Sequence, residues 1–232
     1  MRNWKTVTVH QLFRLVLLGL AVAWGVGLWL HHKEEERREL TRAFESGYWA
    51  KDRAGRGTSW PGSTLEVTAE YRAYVERFIR SHHVESVVDA GCGDWSFSAA
   101  IDWGGASYLG VDISPQIVQR LKRRFAREAV AFEVGDATES LPAADLLLCK
   151  DVLQHLPNDK VLEFIKNNLT RGKFKWAIIT NDKGGRNHDI FAGEYRPLDL
   201  GAPPFEVEGL VDLPVKFADN PLKVAQLLDL SR

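Results

Sequence analysis

Glu85-Ser86-Val87-Val88-Asp89-Ala90-Gly91-Cys92-Gly93-Asp94-Trp95, ESVVDAGCGDW over residues 85–95, decides the fold. A short apolar run ends in glycine, which reads as a buried strand followed by a tight turn. Gly91 and Gly93 let the backbone reverse and approach a ligand without interference from Cβ. A helix is predicted to begin near Trp95. Outward from this stretch the pattern repeats. SYLGVDI (107–113) is a second strand, and Ser114-Pro115 open a helix through IVQRLKRRFARE, proline suiting a first helical turn. AVAFEVGDA (129–137) and ADLLLCKD (144–151) are the third and fourth strands. Asn158 or Asp159 is predicted to cap the helix DKVLEFIKNNL, and KFKWAIITND (173–182) is a fifth strand. Strands alternating with helices at this spacing predict an α/β fold, a parallel sheet with helices on both faces.

On the N-terminal side, Ser63 and Glu66 form a capping box before a helix to about Ser81. On the C-terminal side, the chain from Gly201 carries four prolines and two short strands, near 205–211 and 224–230.

In an open α/β sheet, ligands bind where strands end and helices begin. Three such ends carry an acid: Asp89 after the first strand, Asp112 after the second and Asp136 after the third. Asp112 lies 21 residues beyond Gly91, the place from which a carboxylate accepts hydrogen bonds from both ribose hydroxyls. A nicotinamide dinucleotide also satisfies that, but the pattern G-x-G-x-x-G needs glycine at 96, where Ser96 stands. After the fourth strand, Lys150 and Asp151 precede His155. Asp151 and His155 share a face if that segment is helical. Asn181, Asp182 and His188 follow the fifth strand in a loop that either contacts substrate or only connects elements.

Composition narrows the class. The net charge of -1 excludes nucleic-acid binding driven by bulk charge. Cys92 and Cys149 make no disulfide scaffold, and no Cys/His group has zinc spacing, so no metal is expected.

The N-terminus departs from globular patterning. After an 11-residue tail, Leu12 to Leu30 (LFRLVLLGLAVAWGVGLWL) carries Arg14 as its single charge. As a helix it spans ~28 Å, near the hydrocarbon thickness of a bilayer. The reading is a transmembrane helix over 12–30. The rivals are a cleaved signal peptide, with Ala21-Val22-Ala23 as the cleavage site, and a buried helix. The run continues past that site to Leu30, and it has no polar face. Residues 31–62 follow as a charged juxtamembrane helix and a linker or lid bearing Tyr48, Trp49 and Trp60. Lys33, Arg37, Arg38 and Arg42 slightly outnumber Arg2, Lys5 and Arg14, so the C-terminal side is favoured as cytoplasmic.

DAGCGDWSF, YLGVDIS, GDA and ADLLLCKDVLQHL, in this order and spacing, resemble the successive motifs of class I S-adenosylmethionine-dependent methyltransferases. The resemblance covers residues 63–182. GYW, PGST and YRPLDLGAPPF are similar to a bacterial subgroup of that family. The family motif often has a third glycine where this chain has Trp95. The resemblance implies a Rossmann-like fold with a mostly parallel seven-stranded sheet, here as a domain over 63–232. It implies S-adenosylmethionine as cofactor. Asp89, Gly91 and Gly93 would line its methionine moiety, and Asp112 its ribose. Ile113 would flank the adenine, with Asp136 and Ala137 at the adenine edge. Lys150, counted with the cofactor contacts, and Asp151 would face the methyl-transfer site. Asp151 and His155 are the residues nearest to remove a proton from an oxygen or nitrogen acceptor.

No N-P-P-Y-type motif follows the fourth strand, where the chain reads Lys150-Asp151-Val152-Leu153, and no basic stripe suggests RNA. The acceptor is then a small molecule, a glycan or a lipid-linked group. A cytosolic cofactor places the catalytic domain on the cytoplasmic side. The competing functions are a nucleotide- or NAD-binding Rossmann enzyme and a non-catalytic interaction module of the same fold.

Overall fold

The structure, a computed structural model, describes residues 9–46 and 61–231. By contact density it divides into two compact units, residues 1–39 and Leu40–Arg232.

Helix α1 runs without a break from Val9 to Ser46. From Val16 to Leu30 its apolar side chains are exposed. Val16–Glu45 contains, among the described residues, the one stretch long and apolar enough to cross a membrane by length and composition. Beyond it Glu34 pairs with Arg37 at 2.6 Å and with Arg38 at 3.3 Å, so i,i+3 and i,i+4 pairs support the charged turns.

The second unit is a seven-stranded sheet flanked on both faces by helices. The strands are β1 (Ser86–Ala90), β2 (Ser107–Asp112), β3 (Val130–Val134), β4 (Ala144–Lys150), β5 (Phe174–Asp182), β6 (Val211–Asp212) and β7 (Lys223–Asp229). Their order is β3-β2-β1-β4-β5-β7-β6, with β1 to β5 parallel and β7 antiparallel to both its neighbours. The connection reverses direction between β1 and β4, so a crevice opens at their carboxyl ends.

Period-2 alternation explains why the central strands are apolar throughout. Val87, Leu146, Leu148 and Ile178 enter one core with α2 (Ala69–Ser81) and α3 (Pro115–Phe125). Val88, Ala90, Leu147, Cys149 and Ile179 enter the other with α4 (Asn158–Asn168).

Several local readings differ from the structure. Helix α2 starts at Ala69, because residues 64–68 form turns. Thr64 Oγ1 accepts from Val67 N–H and the Thr64 carbonyl accepts from Thr68, leaving no role for the Ser63–Glu66 box. Neither Asn158 nor Asp159 caps α4: its N-cap is Pro157, and the Asn158 side-chain oxygen Oδ1 accepts from Arg196. The predicted strand near 205–211 shrinks to Val211–Asp212.

The sequence starts the globular domain at residue 63, whereas the compact unit starts at Leu40. Leu40 is 4% exposed and belongs to the core that holds Leu147, Ile179 and Leu198, with Phe44 packed against it. Leu40→Ala is expected to cost ~2–4 kcal/mol in chemical denaturation of the full chain in detergent. A loss near zero would show that the last turns of α1 do not belong to this core.

Candidate active site

The β1 turn is built around two left-handed glycines, Gly91 at φ +75° and Gly93 at φ +58°. A Cβ on Gly91 would run into Val152 Cγ2, so that position is closed to side chains twice over. Gly91 and Cys92 N–H both donate to the Val111 carbonyl, at 2.8 and 3.1 Å, and Gly93 N–H donates to Asp112 Oδ2 at 3.0 Å. Trp95, in the place of the family's third glycine, keeps the left-handed backbone at φ +59°. Its indole is 2% exposed among Tyr108, Phe125 and Phe132, and that burial offsets a backbone cost of ~1–2 kcal/mol. No α-helix follows. Asp94 accepts from Ser96 N–H and the chain turns, making only a 3₁₀ turn at Ser98–Ala100.

A cavity of about 990 Å³ opens at the carboxyl ends of β1 to β5. All ten residues singled out from the sequence line it: Asp89, Gly91, Gly93, Asp112, Ile113, Asp136, Ala137, Lys150, Asp151 and His155.

Asp112 accepts one backbone hydrogen bond on each oxygen, from Ser114 N–H at 2.9 Å on Oδ1 and from Gly93 N–H on Oδ2. A carboxylate oxygen accepts two, so each retains capacity for one more donor. That fits a ribose diol. Asp89 is buried and its Oδ2 accepts from the Tyr108 hydroxyl at 2.6 Å. Burial pushes its carboxyl up to about 6, against that hydrogen bond. Asp136 Oδ1 is held by both the N–H and the hydroxyl of Thr138, and the Ala137 carbonyl accepts from Asn168.

At the end of β4 the segment from Asp151 to His155, which would put both residues on one face if helical, is not an α-helix. Asp151 takes a left-handed backbone at φ +57°, and Leu153–His155 is a 3₁₀ turn. Asp151 Oδ2 meets Lys150 Nζ at 2.6 Å and Lys223 Nζ at 3.0 Å. The Thr180 hydroxyl donates to Oδ1 and accepts from Asp151 N–H, both at 2.9 Å. Burial raises the Asp151 pKa, but the two ammonium groups outweigh it and hold the carboxyl well below the ordinary range. Asp151 is therefore a fixed anion and a very weak base. Lys150 also donates to the Gly62 carbonyl at 3.1 Å and lies over the Phe97 ring. His155 is 5% exposed, and burial pulls its imidazole down to about 4. Its Nδ1 is 2.9 Å from the Glu194 carbonyl, which only accepts, so the neutral ring carries its proton there.

Three features of the cavity were not singled out from the sequence. Lys223 stands 72 residues from Asp151 and arrives through the antiparallel register of β7, which pairs it with Asp182. Tyr195 donates to Asp182 Oδ2 at 2.7 Å. Leu40, Phe44 and Glu45 line the cavity from the end of α1. The acidic residues after β5 and the motif around Tyr195 were visible signals for the second; nothing local in the sequence announces the others.

A family profile described as a methyltransferase domain matches residues 87–172. The fold is similar to the methyltransferase domain of bacterial CtHen1, with 16% identity and a TM-score of 0.56 over 71% of this chain and 100% of that one. It is similar to magnesium protoporphyrin IX methyltransferase from Synechocystis PCC 6803 with bound SAM, with 16% identity and a TM-score of 0.53 over 83% and 94%. Human N-acetylserotonin methyltransferase in complex with SAM gives 18%, 0.52, 72% and 54%. The α/β unit of this chain thus has the fold of these methyltransferase structures, and residues 87–172 within it match the methyltransferase-domain profile.

The raised Asp89 pKa gives a signed prediction. A carboxyl at about 6 in the native state and 3.8 unfolded favours folding below the lower value and loses that contribution as pH rises through the higher. Asp89→Asn should therefore stabilise the ligand-free protein at pH 8, by up to ~3 kcal/mol, and flatten the stability profile between these values. A variant less stable than wild type at pH 8 would contradict this.

Proposed function

We propose that the chain is a membrane-anchored methyltransferase that transfers the methyl group of S-adenosylmethionine to an oxygen or nitrogen of a small molecule, glycan or lipid-linked acceptor. The observation that carries the reading is Asp112, held by two backbone N–H groups with one acceptor site left on each oxygen at the cavity wall. In this reading Asp112 takes the ribose hydroxyls, Ile113 flanks the adenine, and Asp136 and Ala137 meet its edge. Asp89, Gly91 and Gly93 line the methionine moiety, with the Asp89 carboxylate facing its ammonium.

S-adenosylmethionine, when bound, supplies an electrophilic methyl on a sulfonium sulfur. The residues of the chain bind and align. Holding a nucleophile in line with the methyl carbon is worth up to ~7–11 kcal/mol. At the acceptor end Lys150, Asp151, Lys223 and Asp219 form one ion-paired cluster on the cavity wall. Such a wall suits a polar acceptor. Asp151 orients that acceptor as a fixed charge, while His155, neutral at pH 7, is the better proton acceptor of the pair.

Asp112→Ala should weaken S-adenosylhomocysteine binding by ~1.5–3 kcal/mol in calorimetry, the range for hydrogen bonds to a charged group. Equal affinities would remove the ribose assignment. His155→Ala and Asp151→Asn should lower turnover with cofactor affinity nearly unchanged. If cofactor binding is lost with either, that residue serves the cofactor pocket or the fold.

The anchor reading rests on the length and apolar composition of α1, whose side chains from Val16 to Leu30 are exposed. The cytoplasmic placement of residues 31–232 rests on the Lys/Arg count and on a cytosolic cofactor. Protease added outside sealed spheroplasts should leave the domain intact; its digestion there would overturn the topology.

A further inference from the structure

The last turns of α1 lie outside the residues that the family profile matches, yet they form a wall of the cavity. Glu45 Oε1 accepts from the Ser114 hydroxyl at 2.7 Å. Ser114 in turn ties two parts of the nucleotide end together. Its N–H donates to Asp112 Oδ1, and its Oγ caps α3 by accepting from Ile117 N–H at 3.3 Å. The chain of contacts therefore runs from Glu45 through Ser114 and Asp112 to Gly93. One turn back, Leu40 is buried in the core and Phe44 packs against it. On the acceptor side, the Ala43 carbonyl lies 3.4 Å from where a Gly193 Cβ would be. Gly193 N–H donates to the His155 carbonyl at 2.9 Å. The helix end thus touches elements at both ends of the cavity.

We propose that Glu45 is a positioning residue of the cofactor site, and that it couples docking of the end of α1 to cofactor binding. The inference rests on the cofactor reading given above. A half-buried carboxylate beside Asp112 gains little from its own burial, since two acids at close quarters repel. Its return is the Ser114 hydroxyl, which it holds so that the Ser114 N–H keeps Asp112 aimed at the ribose. Linkage is reciprocal: if the docked helix raises cofactor affinity, the cofactor stabilises the docked helix by the same factor. The helix that carries the apolar segment is then a direct part of the site rather than a passive tether.

The test uses the full chain in nanodiscs, with S-adenosylhomocysteine and its 2′-deoxy analogue as probes. Glu45→Gln should bind S-adenosylhomocysteine about tenfold more weakly than wild type. The effect should not add to loss of the 2′ hydroxyl, so the two proteins should bind the deoxy analogue within about threefold of each other. Glu45→Asp, which keeps the charge but shortens the reach, should fall between. In wild type, S-adenosylhomocysteine should slow amide hydrogen exchange over Leu40–Glu45, and less so in Glu45→Gln. Equal affinity of Glu45→Gln and wild type would overturn the proposal. So would an equal weakening for both ligands, since general softening of the fold predicts that. If wild type binds neither ligand, the cofactor reading itself fails; if wild type binds and Asp112→Ala does not, that reading stands whatever Glu45 does.

Discussion

The hydrogen bond from Gly93 N–H to Asp112 Oδ2 is the constraint on which the site depends. It joins the turn after β1 to the end of β2, and it requires Gly91 and Gly93 in the left-handed region. With the Val111 carbonyl serving both Gly91 and Cys92, the turn is pinned to its neighbouring strand at three points. A side chain on Gly91 would strike Val152, just past Asp151, so the same turn also fixes how closely the β4 end can approach. The ends of three strands are thereby set by this turn together with the Asp112 carboxylate and the Val152 side chain.

The charges divide the cavity into two kinds of environment. Asp89 sits among buried groups with a single hydroxyl partner, and burial raises it. Asp151 is only half-buried, and two lysines surround it, whose field lowers it. Two carboxylates at adjacent strand ends thus respond oppositely. The first, with no cation in direct contact, would answer the ammonium of the proposed cofactor. The second has its cations already and serves as fixed architecture. This bears on proton removal: an acid held by two ammonium groups has little affinity for a proton, and the neutral His155 imidazole commits its Nδ1 to the Glu194 carbonyl.

Much of this was legible in the sequence, for a physical reason. In a parallel sheet the central strands are buried on both faces, so they read as continuous apolar runs, and the residues that end them are the ligand-facing ones. Asp89, Asp112 and Asp136 followed from that rule, and Asp151 from its place just past the fourth strand. What escaped was whatever depends on distant pairing. Lys223 reaches Asp151 because β7 runs antiparallel to β5, and no local pattern near residue 223 encodes that register. The i,i+4 spacing of Asp151 and His155 left turn and helix open, and a left-handed residue and a 3₁₀ turn are what stand there. The entry of Leu40 into the core was hidden because it sits in a charged segment that reads as a juxtamembrane helix.

The central claim is that Asp112 receives the ribose of S-adenosylmethionine or its product. A crystal structure of the full chain grown with S-adenosylhomocysteine tests it most directly. The account predicts both ribose hydroxyls within hydrogen-bonding distance of Asp112, with the adenine beside Ile113 and the amino-acid end toward Asp89. A ligand seated elsewhere in the cavity, or NADH displacing S-adenosylhomocysteine from it at equal concentration, would contradict the account.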